Sequence, residues 1–233
     1  MKFVIFNADD FGYGYGVNRG ILEAHTKGVV SSTTLVVNGV AVEEAVRMSK
    51  DAPGLSVGIH VNFTNEAERL FDFENETLVR AELRRQFDVF CELMGKKPAH
   101  IDSHQHVHRA RERRPIFQEL AREHAIPLRD ELPVVFKGAF YAQWEWGRGE
   151  PEKVSVAMLD WLLRDEVHHG GIYEISCHPG YFDPAAKYEY HQEREWELAT
   201  LCDPRVREIL AEEEIEVVNY HQLRAVVERL SAA

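Results

Sequence analysis

The sequence predicts an α/β fold: a distorted or incomplete (β/α) TIM-like barrel of parallel strands in a single domain spanning residues 1–233. Three observations lead there. Short β-type runs alternate with helix-type segments along the whole chain, the pattern of parallel strands joined by crossover helices. About seven such units follow without a Pro/Ser/Gly-rich linker, as a barrel requires. Polar residues capable of chemistry stand at the C-terminal ends of the strands, where the βα loops of a barrel converge. An open doubly wound sheet is the alternative arrangement of the same units.

The elements can be justified in order. Residues 2–6 form a short apolar run, read as a buried strand, that feeds into Asn7-Ala8-Asp9-Asp10-Phe11-Gly12. The glycines of Gly12-Tyr13-Gly14-Tyr15-Gly16 let the backbone pass close to a site and open a helix from Val17, which should end near Gly28. Residues 33–37 and 56–61 supply the second and third strands. Leu83, Phe87, Phe90 and Met94 recur at helical spacing and stop at Gly95. Residues 99–102 form the fourth strand and residues 126–129 a marginal fifth, weakened by Pro127. Val156, Leu159, Leu163 and Val167 mark a helix ending at Gly170, and residues 172–176 and 216–219 complete the strands. Asp9 and Asp10 follow the first strand, His60 ends the third, His104 follows the fourth, Arg129 closes the fifth and His178 follows the sixth. All are expected on one rim.

Composition removes several classes of function. An apolar content of 45% in 233 residues is ample for one core. The formal charge of −12 opposes a phosphate backbone, so no nucleic-acid partner is expected. The local basic run at 109–114 is interrupted by Glu112 and reads as a solvated helix start. No window approaches 18 uninterrupted apolar residues and no signal-peptide pattern stands at the N-terminus, so no membrane partner and a cytoplasmic location are expected. Cys91, Cys177 and Cys202 are too scattered for a disulfide framework or a thiolate zinc site. Phosphate-loop, nucleophile-elbow and His-Glu-x-x-His patterns are missing. Cys177 beside His178 suggests a thiol nucleophile, but neighbours on a strand face opposite ways, and a buried structural cysteine is the better reading.

What remains is metal chemistry. His100-Ile101-Asp102-Ser103-His104-Gln105-His106-Val107-His108 packs four histidines and an aspartate into nine residues, and neutral imidazole is the commonest ligand of zinc-like ions. Taken alone, the Asp9–Asp10 pair could be a turn or helix cap, His60 a half-buried strand residue and His178 a turn residue. Together these readings require independent coincidences at one rim.

The ordered set Asn7-Ala8-Asp9-Asp10-Phe11-Gly12, Gly58-Ile59-His60, the run from His100 to His108 and Cys177-His178-Pro179 resembles the YdjC-like family of carbohydrate deacetylases along nearly the whole chain. Ser31-Ser32-Thr33-Thr34 leading to Val37-Asn38-Gly39, and Arg129, strengthen the match. The resemblance implies a distorted barrel, one divalent metal ion and removal of an acetyl group from an N-acetylated amino sugar. Its motifs put the metal on Asp10, His60 and His104, with Asp9 as general base. The chemistry then assigns His178 as the acid for the departing amine and Arg129 as the group that orients Asp9. Magnesium and zinc head the candidate ions, and the ligand types also admit manganese, iron and cobalt. His106, His108, Tyr141, Trp144 and Tyr181 are the candidate sugar contacts. His108, four residues after His104, would share a helical face with it if the chain coils there, and the wider polysaccharide deacetylases use such a pair as two ligands, whereas the nearer family resemblance pairs His104 with His60. A small carbohydrate and a homodimer are the expected partners. Two departures from the family bear on the sugar: the segment Asn62-Phe63-Thr64-Asn65-Glu66 replaces a Leu-Thr start and is shorter than the corresponding insertion, and Gln105 replaces a histidine. Hydrolysis of a different amide or ester, or a noncatalytic sugar- or metal-binding relative, are the competing functions.

Overall fold

A computed structural model describes residues 1–65, 68–69, 72, 75–145, 147–183 and 190–232. Strand β1 (Lys2–Phe11) leads into α1 (Tyr15–Thr26), followed by β2 (Ser32–Leu35), α2 (Val42–Lys50) and β3 (Ser56–Val61). A small antiparallel pair, β4 (Thr64–Asn65) and β5 (Glu68–Arg69), precedes α3 (Glu76–Met94). Next come β6 (Ile101–Ser103), a 3₁₀ segment (His104–Arg109), α4 (Arg114–His124) and β7 (Val134–Lys137). The chain continues through α5 (Val156–Trp161), extended by a π turn (Leu162–Glu166), then β8 (Gly171–Cys177), α6 (Gln192–Leu201), α7 (Pro204–Glu212), β9 (Ile215–Val217) and α8 (Leu223–Ser231).

Among the described residues, the seven strands outside the small pair are all parallel, in the order β6-β3-β2-β1-β8-β7 with β9 on β1. They form a curled half-barrel with helices around it, the distorted TIM-like barrel expected from sequence. One edge of β1 is taken by β8, from Lys2 opposite Gly171 to Ala8 opposite Cys177. The other edge is shared in succession, with β9 against Lys2–Val4 and β2 starting opposite Asn7.

Strand β1 runs on past the expected 2–6 to Phe11, so Asp9 and Asp10 lie within it and not after it, and two further strands differ from expectation. The run at 126–129 forms a single bridge from Leu128 to Ile101, because Pro127 offers no amide hydrogen to a ladder. A strand not anticipated, β7, pairs with β8 instead. Its Val135 is 39% exposed, so this strand carries little of the burial pattern that reveals a core strand.

Alternation along the strands divides the interior. The outward residues of β1, Val4, Phe6 and Ala8, join Ile59 of β3, Ile175 of β8 and the helical residues Leu83, Phe87 and Leu163 in the main core. The inward residues Phe3 and Ile5 meet Ile172, Val134, Val218 and Leu223 in a smaller cluster that plugs the base of the barrel. Further along the same inward face stand Asn7 and Asp9, and with them Thr34, His60, Asp102 and Glu174, all buried.

Helix α3 holds the expected Leu83, Phe87 and Phe90 in the core. It begins with Asn75 accepting the Leu78 amide hydrogen and ends at Gly95 in the left-handed region, φ 67°. Helix α1 starts at Tyr15, two residues before the expected Val17. Its glycines do serve close approach: a Cβ on Gly16 would lie 2.2 Å from the Tyr181 carbonyl oxygen, and one on Gly20 2.4 Å from Gly180 Cα. The loop after β8 therefore lies directly on this helix.

Candidate active site and metal centre

Strand alternation should send Asp9 and Asp10 to opposite faces. It does not, because the β1–β2 register shifts between Ala8 and Phe11 and Asp10 adopts φ 72°. This bulge turns both carboxylates toward one cleft. The cleft measures about 360 Å³ and opens at the C-terminal rim of the sheet.

Asp10 Oδ1 lies 3.3 Å from His60 Nε2 and 3.3 Å from His104 Nδ1. These three residues can present one ligand atom each within 4.8 Å of one another. The other His60 nitrogen, Nδ1, is 2.7 Å from Asp102 Oδ1, while Thr34 Oγ1 donates to Asp102 Oδ2 at 3.1 Å. A neutral His60 that gives its Nδ1 hydrogen to Asp102 turns the bare Nε2 lone pair toward Asp10. Asp10 Oδ1 is itself buried and meets no donor in hydrogen-bonding geometry. Converging lone pairs of this kind suit a cation, and the Asp102–His60 bond is the outer support that metal-bound histidines usually have. The charge balance agrees. Burial opposes ionisation of His60, yet Asp102, Asp10 and Asp9 raise its pKa to about 10: these carboxylates call for one positive charge, which either a proton on Nε2 or a cation facing the bare lone pair can supply. The residues present therefore fit a divalent ion.

Beside this cluster, Arg129 is entirely buried and grips Asp9 with two bonds, Nη1 to Oδ2 at 2.7 Å and Nη2 to Oδ1 at 2.6 Å. The same guanidinium reaches Asp102 Oδ2 at 2.8 Å and, through Nε, Glu174 Oε1 at 2.8 Å. Tyr220 donates to Glu174 Oε2 at 2.6 Å, closing the network toward the apolar plug. Burial would raise the Asp9 pKa, but Arg129 outweighs it and holds the carboxyl well below the usual carboxylate range. Burial would also raise Asp10, which Arg194, His104 and His60 bring well below that range.

His178, just after β8, carries its Nε2 3.9 Å from Asp9 Oδ2. Its amide hydrogen goes to Glu197 Oε2 at 2.5 Å, and its Nδ1 lies 3.8 Å from Glu197 Oε1. Tyr190 donates to the same Glu197 Oε1 at 2.5 Å and stacks on Tyr141, centroids 4.8 Å apart. Burial lowers the His178 pKa, but Glu197 and then Asp9 reverse the balance and raise it above its ordinary value. A buried carboxylate thus favours the protonated ring.

The structure brings Asp9, Asp10, His60, His104 and His178 to the cleft, with Arg129 directly behind Asp9. Of the anticipated sugar contacts, His106 and Tyr141 stand on its walls. The other three do not. His108 is buried against Ser103, whose Oγ lies 2.7 Å from its Nδ1. Tyr181 donates to Glu23 at 2.5 Å, and Trp144 is 55% exposed beneath Lys153. His104 and His108 do not share a helical face either, because Gln105 and His106 have φ of 50° and 52° and break the coil between them. Trp146 lies outside the described residues. Burial pushes the Cys177 thiol well up, in keeping with a structural role.

Sequence reasoning missed Asp102, Glu174, Tyr190, Arg194 and Glu197 as site residues. Two signals were present. Glu174 is an acid inside the apolar strand 172–176, and Arg194 and Glu197 lie three apart, on one face of α6.

The chain is similar in sequence and fold to several known proteins. A carbohydrate deacetylase of Geobacillus stearothermophilus is 36% identical over 249 residues, covering 95% of this chain and 98% of the relative. A chitooligosaccharide deacetylase of Escherichia fergusonii is 33% identical, covering 94% and 98%. Among solved structures, an Enterococcus faecalis V583 protein named for cellobiose-phosphate cleavage superposes with a TM-score of 0.78 at 28% identity, covering 95% of this chain and 98% of its own. A family 4 carbohydrate esterase of Streptomyces lividans shares the fold, with a TM-score of 0.57 at 14% identity over 93% and 91% of the two chains. The sequence model of the YdjC-like proteins matches residues 3–212, and this chain belongs to the YdjC-like family.

Proposed function

We propose that this chain is a metal-dependent hydrolase that removes the acetyl group from an N-acetylated amino sugar or short oligosaccharide, with residues 1–233 acting as one deacetylase domain. The observation that carries the reading is the buried Asp10 Oδ1 facing two imidazole nitrogens at 3.3 Å, in a cleft that also holds Asp9 and His178. Asp10, His60 and His104 would hold the ion, with zinc or magnesium the first candidates.

When bound, such an ion acidifies water and polarises the acetamide carbonyl. Asp9 then accepts the proton of the attacking water. Both of its oxygens are bonded to Arg129, which keeps it ionised and aimed but also makes it a weak base. His178 supplies the other proton, from Nε2 to the sugar nitrogen as the C–N bond breaks, and Glu197 keeps that ring charged until then. Tyr141, set by its stack on Tyr190, offers a flat face against which a sugar ring can pack. The acid–base pair also argues against a noncatalytic binder, since holding a metal does not call for it.

The test is acetate release from N-acetylglucosamine mono-, di- and oligosaccharides, using metal-stripped protein refilled with single divalent ions and His104→Ala as control. Release that depends on the ion and disappears in the variant is expected. Stoichiometric metal binding with no acetate from any sugar would refute the substrate class.

A further inference from the structure

Arg194, on α6, has no part in the chemistry assigned above, yet it is 3% exposed and borders the cleft. Its Nη2 donates to Asp10 Oδ2 at 2.6 Å. The other oxygen of the same carboxylate, Oδ1, is the one that His60 and His104 face. The two oxygens of Asp10 are thus divided between a guanidinium and the histidine pair. Arg194 is also anchored. Its carbonyl accepts the Gly180 amide hydrogen at 3.2 Å, and its Cδ lies 3.0 Å from where a Cβ on Gly180 would stand. Its Nη1 is 3.4 Å from the His178 carbonyl oxygen.

A carboxylate can bind a divalent ion through one oxygen or both. A short charge-assisted bond to Oδ2 occupies that oxygen, and a fixed positive charge beside it repels a cation moving toward the two-oxygen position. On the ligand set proposed above, we infer that Arg194 is a positioning residue that restricts Asp10 to coordination through Oδ1. The positions this leaves open are the ones water and the acetamide oxygen need. Packing against Gly180 makes the restriction part of the loop that carries His178, so the metal side and the acid side of the site are held by one side chain.

Cobalt(II) reports the coordination number directly, because its visible absorption weakens as ligands are added. In Arg194→Ala the freed carboxylate should bind through both oxygens. The cobalt band should weaken, cobalt affinity should be no lower than in wild type, and kcat for acetate release should fall about 10- to 100-fold with KM little changed. Arg194→Lys, which keeps the charge and a donor, should retain the wild-type band. Arg194→Gln is read in the same way as the alanine variant should circular dichroism show that the latter does not fold. An unchanged cobalt band in a folded alanine or glutamine variant, with or without weaker binding, would overturn the inference. Asp10→Asn separates the two levels: wild-type cobalt binding in that variant would remove Asp10 from the ligand set itself and the inference with it.

Discussion

The two faces of the central sheet are built on opposite physical terms. On the outer face of β1, Val4, Phe6 and Ala8 are sealed under helices with apolar partners. On the inner face the same strand runs from Phe3 and Ile5 at the base to Asn7 and Asp9 at the rim, and there the neighbours are Arg129, Asp102 and Glu174. The outer face gains free energy from every methylene removed from water. The inner rim pays desolvation for each charge and recovers it only through bonds that all have to be made at once. The contrast teaches that, as far as the bulge at Asp10, the helix-covered core and the polar cleft draw on alternate residues of one strand. A change should therefore strike one or both according to which way its side chain points.

The strongest way to break the comparison is Arg129→Met, which leaves Asp9, Asp102 and Glu174 without their shared cation. Breaking a buried ion pair costs about 3–5 kcal/mol, and deacetylation should be lost as well because Asp9 loses its support. Urea unfolding together with acetate assays would show both losses; a variant that unfolds like wild type would mean the network is not the keystone of the inner face. Phe6→Ala tests the outer face. Its ring is fully buried, so about 3–5 kcal/mol of stability should go, while acetate release per folded molecule below the new melting range should stay near wild type. Equal damage to activity would erase the distinction between faces.

Glu197→Gln is the mildest and sharpens the comparison through pH. The folded-state pKa of His178 lies above its ordinary value of 6.5, with Glu197 the first of the groups that reverse the effect of burial. Protonation of this ring therefore adds stability that is complete below pH 6.5 and is lost as the pH rises through the folded value. The alkaline limb of kcat/KM should follow the same proton, and the glutamine variant should bring that limb to lower pH. An alkaline limb that does not move would dismiss His178 as the acid, or Glu197 as its partner.

Much of this organisation was legible in the linear chain, for reasons specific to particular residues. Alternation exposed β3, with Val57, Ile59 and Val61 facing out, and the four-residue spacing of Leu83 and Phe87 exposed α3. The crowding of polar residues at strand ends put Asp9, Asp10, His60, His104 and His178 on one rim, and all five line the cleft. The shared face of His104 and His108 does not form, because that spacing has meaning only on a regular helix and left-handed Gln105 and His106 lie between them. Tyr181 and Trp144 stand off the cleft wall, which the sequence could not show, since an aromatic in a loop carries no mark of the direction it faces.

The sequence by itself determined an alternation of strands and helices that calls for a parallel sheet, and the gathering of polar residues at strand ends, because periodicity and strand ends are local properties of the chain. Only the tertiary structure decided that Asp9 and Asp10 share one cleft, that Asp102 supports His60, and that Arg194 meets Asp10 across 184 positions of sequence. The reason is physical: a buried charge is stabilised by whatever counter-charge the packed barrel brings within about 3 Å of it, and that neighbour leaves no periodic trace in the chain.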